Sequence, residues 1–199
     1  MERYAKGELE LWNLVKTYIK EFNEAVPEPF PSNKFCPNMR ELYYEQGLQF
    51  LKNFSGYSNA KILGVEEQFS MRIDDFVFTG IIDLIFEDEE GNIVIQDYKS
   101  KSSFKSKKEQ AEYAMQLYLY ATYVIEKFHK SPEKLRFVMF RKNQVVDIPF
   151  NQSDYKKSID WVKSTVKSIR NCWCYPSNYS EFYCNNLCNH RDYCESLKK

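Results

Sequence analysis

The sequence predicts an α/β domain, and three observations lead there. "GIIDLIFEDEEGNIVIQDYKSK", residues 80–101, reads as two apolar strands folded around an acidic turn. Stretches with helical spacing precede it (8–23, 39–53) and follow it (109–128, 153–171). The 199 residues contain no internal repeat or flexible linker, and that length suits one domain with a real core. The expectation is one domain over 1–199: a helical N-terminal part (1–60), a sheet core (61–150), and a C-terminal helix with a cysteine-rich tail (151–199).

Taken in order, Trp12, Val15, Ile19 and Phe22 step by three, four and three, and Leu11 and Tyr18 widen the stripe. The four prolines of "AVPEPFPSNKFCPNM" stop that helix and leave an ordered loop holding Cys36. Residues 39–53 are helical again, and "AKILGVEEQFSMRI" predicts a strand over 62–73. After the hairpin, 109–128 is apolar almost all round, so cover on both sides is expected. "KLRFVMFRKNQVVDIPF" predicts two strands with a turn near Lys142 and Asn143. Tyr155, Ile159, Val162, Val166 and Ile169 alternate steps of four and three, giving a last helix over 153–171 before the irregular tail "YCNNLCNHRDYC".

Lys plus Arg equal Asp plus Glu at 28 each, so an anionic partner must be held by a local patch and not by the overall field. Charges interrupt "MERYAKGELELWN", which is not a signal peptide, and no run reaches the ~18–20 apolar residues of a membrane span. A cytoplasmic, reducing setting follows, where clustered cysteines bind metal more often than they form disulfides.

Three charges interrupt the hairpin. Asp97 and Lys99, two apart, share a strand face ~6.6 Å apart. The midpoint of Asp83 and Asp97 falls at residue 90, in the turn, so the acids oppose each other, with Gly91 a natural place for a bulge. Two carboxylates in an apolar sheet repel until a proton or a divalent cation joins them. Mg²⁺ or Mn²⁺ suits such hard oxygens and activates water, and the Lys99 ammonium can offset charge on a phosphate. The plainer reading is a structural Asp–Lys pair at a sheet edge. Gly80 ahead of the first acid leaves room for a backbone or a substrate to approach.

Gly80-Ile81-Ile82-Asp83 (G-x-x-D), Asp97-Tyr98-Lys99 (D-x-K) and Gln116 with Tyr120 (Q-x-x-x-Y) together resemble the PD-(D/E)xK nuclease superfamily. Within it they resemble the RecB-like branch, with its CRISPR-associated and phage recombination exonucleases. Val65-Glu66 matches that branch's "vE" strand, while its metal-binding His has no counterpart; Glu66, Glu67 or Glu45 stand where a substitute would be. The resemblance implies a restriction-endonuclease-like α/β core, a mixed central sheet flanked by helices. It implies catalytic roles for Asp83, Asp97, Lys99, Gln116 and Tyr120, and Mg²⁺ or Mn²⁺ held by Asp83 and Asp97 with Glu66. It further implies a 4Fe–4S cluster on Cys36, Cys184, Cys188 and Cys194 that joins the chain ends, although the tail spacing is C-x3-C-x5-C. Thiolates suit Zn²⁺ equally, and His190 could complete a Cys3His site.

The implied activity is metal-dependent hydrolysis of DNA, exonucleolytic on single strands or ends, in recombination, repair or CRISPR-type processing. Recombination or CRISPR proteins are the implied partners, and the gene is microbial or viral. A degenerate module that only binds DNA or a partner, and a zinc-stabilised scaffold, are the alternatives. Five lysines lie between residues 99 and 108, and Lys101, Lys105, Lys107 and Lys108 are candidate phosphate contacts or members of a solvated loop. Cys172 and Cys174 are surplus and read as packing.

Overall fold

Five strands make one mixed sheet in the order β1-β2-β3-β4-β5: β1 (Lys61–Ile73), β2 (Phe76–Glu87), β3 (Ile93–Lys99), β4 (Lys134–Met139) and β5 (Gln144–Pro149). The helices are α1 (Glu2–Ala5), α2 (Leu14–Ala25), α3 (Met39–Asn53), α4 (Lys107–Phe128), α5 (Gln152–Asn171) and α6 (Glu181–Asn186). This computed structural model describes residues 1–26, 28, 36–173, 177–186 and 188–194. Cys174 and most of the proline-rich loop lie outside the described residues. The chain divides into two compact units, Met1–Ile159 and Asp160–Lys199, and the whole sheet belongs to the first.

β1, β2 and β3 form an antiparallel meander. β4 lies parallel to β3, a pairing that requires a long crossover, and α4 supplies it. β5 returns antiparallel on β4. One face of the sheet packs on α4 through Ile93, Ile95, Leu135, Phe137 and Met139, which alternate along their strands, against Leu117, Ala121 and Val124. Full burial of each large apolar side chain contributes roughly 1.5–3 kcal/mol. The other face buries Leu84, Phe86 and Val94 beneath Ala5, Tyr57 and Ala60. Residues 117–121 of α4 are all buried, so mid-helix the expected cover on both sides is present.

The Ser106 Oγ caps α4 by accepting the Glu109 N–H at 3.1 Å, which fixes where the helix begins relative to Lys99. The hairpin adopts the register that its acidic turn implies, Leu84↔Gln96 through Glu87↔Ile93. Gly91 takes a left-handed φ of 76°, and Asp88 Oδ1 accepts the N–H groups of Glu90 and Asn92. One expectation is corrected: the first helix does not run from residue 8. Gly7, at φ 74°, turns the chain after α1, a 3-10 turn covers Leu11–Asn13, and α2 begins at Leu14.

Gly80 also differs from the expectation, because no room is left above it. It pairs with Phe69, and a Cβ there would lie 2.7 Å from two Phe69 ring carbons and 3.1 Å from Tyr120 Cε1. The glycine lets two core rings close over the strand. Gly80→Ala should lower unfolding free energy by about 1–3 kcal/mol through overpacking. A urea midpoint equal to that of the unaltered chain would contradict this packing.

Candidate active site

Side-chain alternation in the sheet fails at one place. Ile82 and Ile85, three apart, both join the cluster under α4, whereas Leu84 and Phe86 join the opposite one. On β1, Val65 packs with the opposite cluster but Phe69 and Met71 with that of α4. Both strands therefore change phase within these stretches, which hold Glu66 and Asp83, opposed in the register between Val65↔Leu84 and Glu67↔Ile82. Glu66 has a φ of 47°, a left-handed conformation costing a non-glycine residue roughly 1–2 kcal/mol. The β2–β3 ladder ends at Leu84↔Gln96, and the Tyr98 N–H donates instead to Asp83 Oδ2 at 2.8 Å. A carboxylate has taken a ladder position, one residue past the last pair, and its charge reaches Asp97 on β3.

From Asp97 a chain of contacts runs into α4. Asp97 is 4% exposed. Lys99 Nζ lies 2.8 Å from its Oδ2, and this ammonium is the one partner that buried oxygen has among the described residues. The same ammonium donates to Gln116 Oε1 at 3.1 Å, and Gln116 Nε2 donates to the Tyr120 hydroxyl at 2.7 Å. Four residues apart, Gln116 and Tyr120 occupy one helical face. Gln116 is exposed, so it is not the satisfied core amide its apolar helix suggests. The rings of Tyr113 and Phe137 flank Lys99 with centroids 5.6 and 5.8 Å from Nζ.

Burial pushes the Asp97 carboxyl above the usual range; Lys99 opposes the shift and Asp83 adds to it. Burial and the neighbouring Asp83 carboxylate push Glu66 up as well. Glu67 behaves oppositely, held low by Lys127 and Tyr123 of α4. That commitment removes it as a replacement for the family's histidine, and Glu45 is exposed on α3.

Asp83 and Asp97 fit a divalent cation: they are hard oxygen donors, the Asp83 charge raises the buried Asp97 carboxyl, and a single ammonium at 2.8 Å stands against the two acids. Mg²⁺ typically takes one or two carboxylates and keeps several waters. Among the described residues no three His, Cys, Asp or Glu side chains are gathered to hold a metal, so Glu66 does not complete a trio with the two aspartates. The same holds for Cys184, Cys188 and Cys194 of the second unit, which do not form a gathered thiolate site; Ser180 N–H donates to Cys184 Sγ at 3.4 Å. Cys36 lies in the first unit.

Lys101 is committed to Glu109 at 2.5 Å and lies over Tyr113, while Lys105, Lys107 and Lys108 are exposed. Sequence reasoning missed the support behind the site. Tyr98, on the strand face opposite Asp97 and Lys99, meets the Tyr57 hydroxyl, which also accepts Gln96 Nε2 at 2.7 Å. Burial raises both phenols, keeping them neutral hydrogen-bonding groups. The tyrosine inside D-x-K, sent to the far face by strand alternation, was the available signal.

A model of the PD-(D/E)XK nuclease superfamily matches residues 1–195. Among solved structures, SSO0001 aligns at 16% identity with a TM-score of 0.40, over 92% of this chain and 95% of that one. A protein from Eubacterium rectale named "Putative exonuclease" aligns at 12% identity with a TM-score of 0.47, over 100% of this chain and 81% of that one. No curated protein matches.

A raised Asp97 pKa means the folded, metal-free protein binds that proton more tightly than the unfolded chain. Stability is therefore gained as pH falls through the raised value and lost as Asp97 ionises. A cation competes with that proton, so its stabilising effect grows with pH. At ten times its Kd, Mn²⁺ contributes about 1.4 kcal/mol, which should raise Tm by roughly 3–6 °C at pH 7.5 for a chain of this size. The shift should shrink as pH falls below 7.5 and vanish in Asp97→Asn, as followed by differential scanning fluorimetry. An equal shift in Asp97→Asn would contradict this assignment.

Proposed function

The chain belongs to the PD-(D/E)XK nuclease superfamily, and from that premise we propose that it hydrolyses phosphodiester bonds of DNA, at single strands or ends, using Asp83, Asp97, Lys99, Gln116 and Tyr120. One observation carries the reading. A single connected set runs from the Asp97 carboxylate through Lys99 and Gln116 to Tyr120, beside an Asp83 fixed by the Tyr98 N–H. A plain sheet-edge ion pair would need neither the second acid nor the amide on α4.

Asp83 and Asp97 would hold Mg²⁺ or Mn²⁺, which supplies Lewis-acid polarisation of the phosphate and a more acidic water. Lys99, donating to Gln116 Oε1, would position the attacking water or help deprotonate it. As an ammonium it would donate toward the water or the phosphoryl oxygens and offset charge gathering there. Gln116 holds that ammonium at the mouth of the site, and Tyr120 fixes the amide's orientation by accepting from its NH2. Hydrolysis forms a bond from water oxygen to phosphorus and breaks the bond to the departing sugar oxygen, which leaves with a proton.

Lys99→Ala should fold normally yet cut end-labelled strands at least ~100-fold more slowly with Mn²⁺. Gln116→Ala, which frees the ammonium without removing it, should fall about 10-fold. Digestion by Lys99→Ala at the unaltered rate would refute the site.

The reading of Cys36, Cys184, Cys188 and Cys194 as ligands of a 4Fe–4S cluster, with Zn²⁺ as the alternative, is supported by their one-plus-three order in the chain and carries no step of the reaction. Anaerobic purification tests it by metal analysis. Brown, iron- and sulfide-containing protein that loses its colour in Cys188→Ala is the expected result; a colourless zinc protein would refute the cluster.

A further inference from the structure

A cleft of about 780 Å³ is lined by Glu66, whose carboxyl feels the Asp83 charge, and by Tyr98, whose N–H donates to Asp83. Tyr43 and Gln46 of α3 form one wall, and Phe140 and Arg141, in the turn after β4, form another. Arg141 donates its Nε to Gln46 Oε1 at 2.9 Å, and its guanidinium carbon stands 5.0 Å from the Tyr43 ring centroid. Among the described residues it has no carboxylate partner, so its terminal nitrogens keep their donors. The wall behind is tight: the Tyr18 ring of α2 occupies the space a Cβ at Gly47 would need, and its hydroxyl donates to Tyr44 O at 3.0 Å. Arg141 is thus a planar cation held in a fixed direction next to an exposed aromatic ring.

We propose that this cleft seats one unpaired DNA strand, Arg141 taking a phosphate and Tyr43 stacking on a base. The inference rests on the reading of Asp83 and Asp97 as the cutting centre, to which the cleft is linked through Glu66 and Tyr98. Three features select a single strand. The cavity is far too small for a duplex. An aromatic face beside a guanidinium is the combination that binds unstacked bases without regard to sequence. An unpaired guanidinium matches a phosphate's two oxygens, which a lysine meets only as a point charge.

The test measures anisotropy of a labelled oligothymidine strand and of a blunt duplex, without metal, together with Mn²⁺-dependent cutting of the strand. Tyr43→Ala should weaken strand binding about 5- to 100-fold, the range of one base stack, and leave duplex binding unchanged. Arg141→Ala should reduce the slope of log affinity against log salt by about 0.7, one phosphate on a single strand. Arg141→Lys should keep that slope but still raise KM, with kcat within about twofold. Tyr43 is partly exposed, so its variant should melt with the unaltered protein and isolates contact from folding. Strand affinity and KM unchanged in Tyr43→Ala and Arg141→Lys, in protein that still cuts, would overturn the cleft. Tyr43-dependent strand binding by a chain that never cuts would uphold the cleft and overturn the nuclease reading instead.

Discussion

A buried carboxylate that feels a second acid is the constraint around which this structure is arranged. Asp97 sits 4% exposed in an apolar sheet, with the Asp83 charge near enough to raise its carboxyl and the Lys99 ammonium 2.8 Å from Oδ2. Buried acids are costly unless opposite charge offsets them, and Lys99 brings one positive charge to the pair. Hydrophobic residues at these positions would give a steadier sheet. The arrangement has physical sense when a cation completes it.

The scaffold keeps that costly arrangement fixed. Parallel pairing of β3 with β4 demands a crossover, and α4 is both that crossover and the element carrying Gln116 and Tyr120. The Ser106 cap sets where α4 starts, so the distance from Lys99 to Gln116 is built into the connection. From the other face, Gln96 donates to the Tyr57 hydroxyl, which meets that of Tyr98, the residue whose backbone N–H holds Asp83. Gly80 allows Phe69 and Tyr120 to close over β2. Core packing and site geometry share the same residues, so local repacking would be felt at the acids.

How much of this is legible in the sequence depends on how far apart the interacting residues lie. The hairpin register follows from the midpoint of its turn, and the Gln116–Tyr120 pair from helical spacing, since both are local. The role of Glu67 is not local: it is settled by Lys127, 60 residues away, and Val65-Glu66-Glu67 alone does not say which acid is committed. Gln46 and Arg141 are 95 residues apart and join only when the turn after β4 reaches α3. The phase change near Glu66 and Asp83 escapes a reading by alternation, because each strand looks regular until the clusters it packs into are known. Gly80 suggested open space, and the space is filled by rings distant in sequence.

The central claim is that Asp83 and Asp97 jointly hold a divalent cation. Anomalous diffraction from crystals soaked in Mn²⁺ tests it most directly. The account predicts a manganese peak bonded to a carboxylate oxygen of each aspartate, with Asp97 Oδ2 among the ligands. A peak elsewhere, or none between those two side chains at saturating Mn²⁺, would contradict it.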